Sequence, residues 1–192
     1  MTHSTKQRLL DAGVPLLLEH GYNDLGIQAL LAATGTPKGS FYHHFKDKED
    51  FALQVVDAYL GRVRPVLEAC LGDLERPPLA RVQRFFEQMQ QMYRNEGYLG
   101  CLLGGLGQEL SGVSETFRRK IEGCLNAIAD CLADCLNEAR LRGDITIDCD
   151  ARQMANILVD GWEGAALRSR LQRSPTPLNA MLDFYIRSVV AR

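Results

Sequence analysis

Gly35 separates two short patterned runs, GIQALLAAT and TPKGSFYHHF, and this pairing constrains the chain more than any other feature. Ile27, Leu30 and Leu31 recur at helical spacing in the first run. In the second, Thr36 suits a helix cap, and Pro37 suits the first helical position, where its missing N–H is not needed. Two short helices joined by a tight Gly-containing turn outline a helix-turn-helix, whose second helix enters the major groove of DNA. Pro37 to His44 is eight residues, about 12 Å of helix, against a groove about 12 Å wide. Gly39 and Ser40 keep the start of that helix slim enough to approach bases. Lys38 can reach guanine or phosphate, Ser40, Tyr42, His43 and His44 can donate to phosphates, and free amides at the helix start add attraction for them. Phe41 and Phe45, four apart, face one way and anchor the helix to the preceding segment. The same pattern also suits a short capped helix in an ordinary bundle, with Tyr42 packed and Lys48 solvated.

Helical periodicity fills the rest of the chain. A first segment, Ser4 to His20, carries Leu9, Leu10, Val14, Leu17 and Leu18 on one stripe and stops at Gly21. Asp47 caps a fourth helix running to Leu71, with Glu49 and Asp50 in its first turn. Further helices are expected over about Leu79–Asn95, weakly over the glycine-rich GYLGCLLGGLG, from the cap Ser114 to Arg142, over Asp150–Leu171 and over Pro177–Val190. DITID, residues 144–148, is the only β-like piece. The expectation is an all-α chain of about nine helices. A three-helix unit with a helix-turn-helix outline (1–46) precedes a larger helical bundle (47–192).

The composition, 46% hydrophobic and 24% charged over 192 residues, is ordinary for a globular protein. No apolar run approaches the roughly 20 residues that span a bilayer. MTHSTKQRLL lacks the apolar core of a signal peptide, so a cytoplasmic location is expected. The net charge is -2, and residues 1–50 carry five Lys or Arg against six Asp or Glu. A DNA-binding surface must therefore be a local patch. The six cysteines include no Cys-x-x-Cys pair and are expected as thiols. No cofactor and no metal site are expected.

The run GYNDLGIQALLAATGTPKGSFYHHFKDKEDF resembles the N-terminal domain of the TetR family of bacterial transcriptional repressors, over about residues 5–55. The resemblance implies a homodimer that binds a palindromic double-stranded DNA operator. By position, Gln28, Thr36, Pro37, Lys38, Ser40, Tyr42, His43 and Lys48 match family positions that touch DNA. The chain departs from the family at Leu25, where many relatives have threonine, at Gln28, often basic, and at Pro37, frequently serine. Family members bind a small-molecule effector in a variable C-terminal bundle and dimerise through the last two long helices. Met154, Leu158, Gly161, Trp162, Ala165 and Ala166 form a stripe that suits either core or interface. The resemblance assigns it to the interface, with Tyr185, Ile186 and Val189.

Cys101 sits near an expected helix start, where amides favour a thiolate; a small buried thiol is the competing reading. GYLGCLLGGLGQELSGVSETFRRKI is similar to the matching stretch of the N-ethylmaleimide-responsive repressors, which sense electrophiles and oxidants through a cysteine so placed. The resemblance makes Cys101 a candidate sensor for a reactive electrophile. Cys124, Cys131 and Cys135 share one helical face beside Ile128, favouring core packing over a metal site. Phe85, Met89, Met92, Tyr93, Phe117 and Trp162 are candidate lining for an apolar pocket, or core. A thiol enzyme is disfavoured, because a nucleophilic cysteine needs a base and the four histidines, His3, His20, His43 and His44, all precede residue 46. The remaining alternatives are a repressor responding only to a non-covalent ligand, with Cys101 structural, and a helical interaction module without DNA binding.

Overall fold

The computed structural model describes residues 4–189. His3 and Val190 lie outside the described residues. Among the described residues nine helices follow one another: α1 Thr5–Asp24, α2 Ile27–Thr34, α3 Lys38–His44, α4 Lys48–Leu71, α5 Pro78–Asn95, α6 Leu102–Leu110, α7 Glu115–Leu141, α8 Ala151–Gln172 and α9 Thr176–Val189. Residues 144–148 form no strand, only an isolated bridge at Ile145. Caps set several starts. Asp47 accepts the Asp50 N–H at 2.8 Å, Ser114 accepts the Phe117 N–H at 3.3 Å, and Asp150 accepts the Gln153 N–H at 3.3 Å.

By packing, the described chain forms two compact units whose limits fall inside α4, just before α6 and inside α7. One holds the residues up to Arg62 with Leu102–Ile121; the other holds Val63–Cys101 and the residues from Glu122 onward. In the first unit Leu9, Val14, Leu17, Leu18, Leu30, Phe41, Phe45, Phe51, Val55 and Val56 are buried together with Leu102, Leu103, Leu106 and Phe117. Thus α6 and the start of α7 complete the core of the N-terminal helices.

The second unit buries Val82, Phe85, Phe86, Met89 and Tyr93 of α5, Leu132 and Leu136 of α7, Met154, Leu158 and Trp162 of α8, and Leu178 and Tyr185 of α9. Trp162 lies 4.7 Å from Phe86 and 6.1 Å from Tyr93, ring centre to ring centre, and donates its indole N–H to the Tyr93 hydroxyl at 3.3 Å. Helices α8 and α9 pack closely at Gly161, where a Cβ would stand 3.2 Å from the Met181 sulfur. Cys124 and Cys135 are buried but Cys131 is exposed, which corrects the expectation that one face buries all three. Among the described residues no group of His, Cys, Asp or Glu is arranged to hold a metal ion, and no helix is long and apolar enough to cross a membrane.

Candidate nucleic-acid interface

The turn between α2 and α3 is built on Gly35, whose left-handed backbone (φ 59°, ψ 31°) ends α2. The Gly35 N–H donates to Ala32 O at 3.3 Å and the Thr36 N–H to Leu31 O at 3.0 Å, satisfying carbonyls that the helix end leaves open. Two expectations are corrected here. Helix α3 begins at Lys38, with Pro37 as its N-cap and no side-chain cap. Thr36 is buried and its hydroxyl turns back to Thr34 O, so its side chain stabilises the turn and presents nothing outward.

The inner side of α3 is aromatic. Phe41 is 0% exposed and Phe45 1%, and both pack on Phe51 of α4, with ring centres 5.6 and 5.1 Å away. This fixes the rotation of a helix only seven residues long. The outer side is free: Pro37, Lys38, Gly39, Tyr42 and His43 are exposed, with Tyr42 at 51%, and Gln28 of α2 is exposed as well. Ser40 and His44 are half-buried. Lys48 is partly buried. Its amine donates to Asn23 O at 3.4 Å and stands 4.5 Å from the centre of the Tyr22 ring, and burial pulls its pKa down. Lys48 therefore ties α4 to the end of α1.

A contact invisible in the sequence holds that same corner. The Tyr22 N–H donates to Glu109 Oε2 at 2.7 Å and the Asn23 N–H to Glu109 Oε1 at 2.6 Å. One carboxylate on α6 thus receives two backbone amides at the end of α1. Gly21 makes this possible: its φ of 75° breaks α1, and a Cβ there would meet Glu109 Oε2 at 2.8 Å. Beside it, the Tyr22 ring lies edge-on to Phe117 at 5.6 Å, and Ser114 donates its hydroxyl to Glu49 Oε1 at 2.8 Å. Phe117 therefore belongs to this corner, correcting its expected place beside Phe85, Met89 and Tyr93. Phe85, Met89, Tyr93 and Trp162 are buried in the second unit, and Met92 is half-buried there.

Cys101 immediately precedes α6 and is half-buried. Burial pushes the pKa of Glu163 on α8 up to about 7, with Cys101 acting on it in the lowering direction. Nothing in the sequence signals this, since 62 residues separate the two.

The chain's own fold encloses most of the expected dimerisation residues. Met154, Leu158, Trp162, Ala165, Tyr185 and Val189 are all buried inside this one chain, and Tyr185 donates its hydroxyl to Met154 O at 2.9 Å. Gly161 and Ile186 are half-buried. A side chain enclosed by its own fold offers nothing to a partner. The apolar groups that α8 and α9 turn outward are Ile157 (53% exposed), Leu167, Leu171 and Phe184 (75%), with the open Gly164 between Ile157 and Leu167. Their spacing on α8 is helical, but both faces of the helix are apolar enough that periodicity alone did not separate them.

A tight glycine turn, an aromatic-anchored short helix and an exposed polar outer face define a helix-turn-helix regulator. The comparisons agree. Residues 9–55 match the family described as bacterial regulatory proteins, tetR family, and residues 78–185 match the tetracyclin repressor-like C-terminal domain. The chain belongs to the TetR family, a family of transcriptional regulators and not of enzymes. It is 35% identical over 187 residues to the transcriptional regulator AcuR of Cereibacter sphaeroides, covering 97% of this chain and 85% of that protein. It is 28% identical to the repressor NemR of Escherichia coli K12, covering 98% and 95%. Among solved structures, the regulatory protein TetR from Rhodobacter sphaeroides superposes with a TM-score of 0.91 at 35% identity, covering 96% of this chain and 98% of that one. The reduced form of E. coli NemR gives 0.85 at 27% identity, covering 98% of each chain.

Proposed function

We propose that this protein is a homodimeric repressor that docks α3 into the major groove of a palindromic operator and is released when a small effector binds or Cys101 is modified. In this reading residues 1–46 read DNA, and residues 47–192 sense and dimerise. The observation that carries it is the outer face of α3. Lys38, Gly39, Tyr42 and His43 are exposed on a helix whose inner face is locked by Phe41 and Phe45, which is the preorganisation a base-reading helix requires. The outward residues Ile157, Gly164, Leu167, Leu171 and Phe184 supply the partner-binding face, a run of exposed apolar groups of the kind that marks a protein interface. Release is assigned to α6. It follows Cys101 directly and carries Glu109, which grips the end of α1. A displaced α6 therefore disturbs the helix that supports the reading head, and half-sites about 34 to 36 Å apart tolerate little change in head separation.

The test is a gel shift on DNA recovered by sequencing what the purified protein retains, with and without N-ethylmaleimide. Release of wild type but not of Cys101→Ser supports the reading. Equal release of both removes Cys101 from the mechanism and leaves the non-covalent effector. Absence of any retained DNA removes the repressor reading altogether.

A further inference from the structure

The chain passes between its two units at three places: between Arg62 and Val63 in α4, between Cys101 and Leu102 before α6, and between Ile121 and Glu122 in α7. A glycine stands within two residues of each division: Gly61, Gly100 and Gly123. Gly61 is the one glycine in the 24 residues of α4, and Gly123 the one glycine in the 27 of α7. Packing demands neither. Both are exposed, and a Cβ at either position would meet nothing within 4 Å. Glycine is the weakest helix former after proline, and α4 carries a proline as well. Pro65 has no N–H to give to Gly61 O, so α4 lacks a hydrogen bond across its division. Pro15 of α1 is different. A Cβ on nearby Gly13 would stand 2.6 Å from Val55 and 2.7 Å from Phe51, so α4 clamps that stretch.

On either side of the divisions α4 and α7 are braced. Within the first unit Asp57 of α4 forms an ion pair with Lys120 of α7. Asp57 stands four residues before Gly61 and Lys120 three before Gly123, about one helical turn in each case. Within the second unit Arg81 of α5 donates to Leu71 O, at the end of α4, at 2.9 Å and pairs with Glu138 of α7. Arg81 is 3% exposed, so this brace is little screened by salt. The third connection is pinned just before its division. Arg170 donates to Leu99 O at 3.0 Å, and Gly100, at φ 87°, lies so close to α8 that a Cβ would stand 3.4 Å from Ala166 O.

We infer that Gly61–Pro65 and Gly123 form a paired joint at which α4 and α7 bend together, and that release, as proposed above and on which this rests, changes the separation of the reading heads by this bending rather than by a rigid shift of α4. The braces keep each half of the two helices straight, so bending concentrates between them. Gly61 and Gly123 supply backbone freedom. The absent Pro65 N–H removes one hydrogen bond that a bend in α4 would otherwise break. Because the Asp57–Lys120 pair lies one turn ahead of both glycines, a bend in one helix carries the other with it.

Hydrogen exchange read by mass spectrometry tests the joint in the full-length protein, without DNA or effector. Amides of residues 62–67 in α4 and 123–128 in α7 are expected to exchange faster than those of 52–58 and 132–140 in the same helices, by on the order of tenfold or more. The triple variant Gly61→Ala, Pro65→Ala, Gly123→Ala restores the missing donor and fills both open positions. It is expected to slow exchange at both joints by a similar factor, to leave the flanking rates unchanged and to bind the operator recovered above as wild type does. On an operator whose half-sites are one base pair further apart, it is expected to lose on the order of tenfold more affinity than wild type loses. Joint amides that exchange no faster than their flanks overturn the inference and leave the repressor reading standing. Equal losses of affinity on the lengthened operator overturn it as well. Failure of the repressor reading shows separately, as the absence of any retained DNA, and the exchange profile then still decides the joint. Should the triple variant not fold, Gly61→Ala alone carries the comparison.

Discussion

Glu109 and Tyr22 are 87 residues apart in sequence, yet the Tyr22 N–H donates to the Glu109 carboxylate at 2.7 Å. The Asn23 N–H takes the other oxygen at 2.6 Å. Two amides at the broken end of α1 thus share one charged acceptor, the stronger kind of hydrogen bond.

Glu109→Ala is therefore expected to destabilise the protein by about 1–3 kcal/mol, because two backbone donors lose a charged acceptor at once. Operator affinity is expected to fall with it, since the end of α1 supports the reading head. Urea denaturation and gel shifts read the two effects. Unchanged stability shows that water replaces the carboxylate at no cost.

Lys38 and Lys48 are expected to behave differently. Lys38 is exposed on the outer side of α3, so Lys38→Ala lowers operator affinity, reduces the salt slope by about one and leaves the melting temperature in place. Lys48 donates to Asn23 O and covers the Tyr22 ring. Lys48→Ala accordingly lowers stability as well, by about 0.5–1.5 kcal/mol. Salt titrations of binding, paired with thermal melts, separate the two; identical behaviour contradicts the assignment.

On α8, neighbouring leucine and isoleucine positions have opposite fates. Leu158 is 0% exposed and Ile157 is 53% exposed. Leu158→Ala is expected to cost about 2–5 kcal/mol of stability by leaving a cavity. Ile157→Asp, with or without Phe184→Asp, is expected to leave the fold intact and yield monomers in analytical ultracentrifugation. A dimer that survives both changes places the partner face elsewhere.

Glu163 gives a stability prediction with a defined sign. Its folded-state pKa of about 7 lies above the ordinary 4.5. Below about pH 4.5 the carboxyl is protonated in both states and costs nothing. Between 4.5 and 7 the unfolded chain ionises first, so stability drops as pH rises, and above 7 the full cost is present, about 3 kcal/mol at most. Glu163→Gln is expected to melt higher than wild type at pH 8 and alike at pH 4.5. Equal melting temperatures at both values show that the carboxylate is well solvated.

Sequence and structure divide the protein along a physical line. Short-range chemistry determined the helices: Asp47, Ser114 and Asp150 as caps, Gly35 as the turn, and Phe41 and Phe45 as an anchored face, because each depends on neighbours a few residues away. Those features were enough to outline a helix-turn-helix and, through the resemblance they carry, the family. Only tertiary packing decided that Thr36 turns inward, that Phe117 meets Tyr22, that Glu109 holds the end of α1 and that Glu163 accompanies Cys101. Each of these joins residues far apart in sequence, or selects one of two chemically acceptable faces, as α8 does between Leu158 and Ile157. Periodicity states how many apolar faces a helix has; which of them is enclosed depends on the helices that happen to lie beside it.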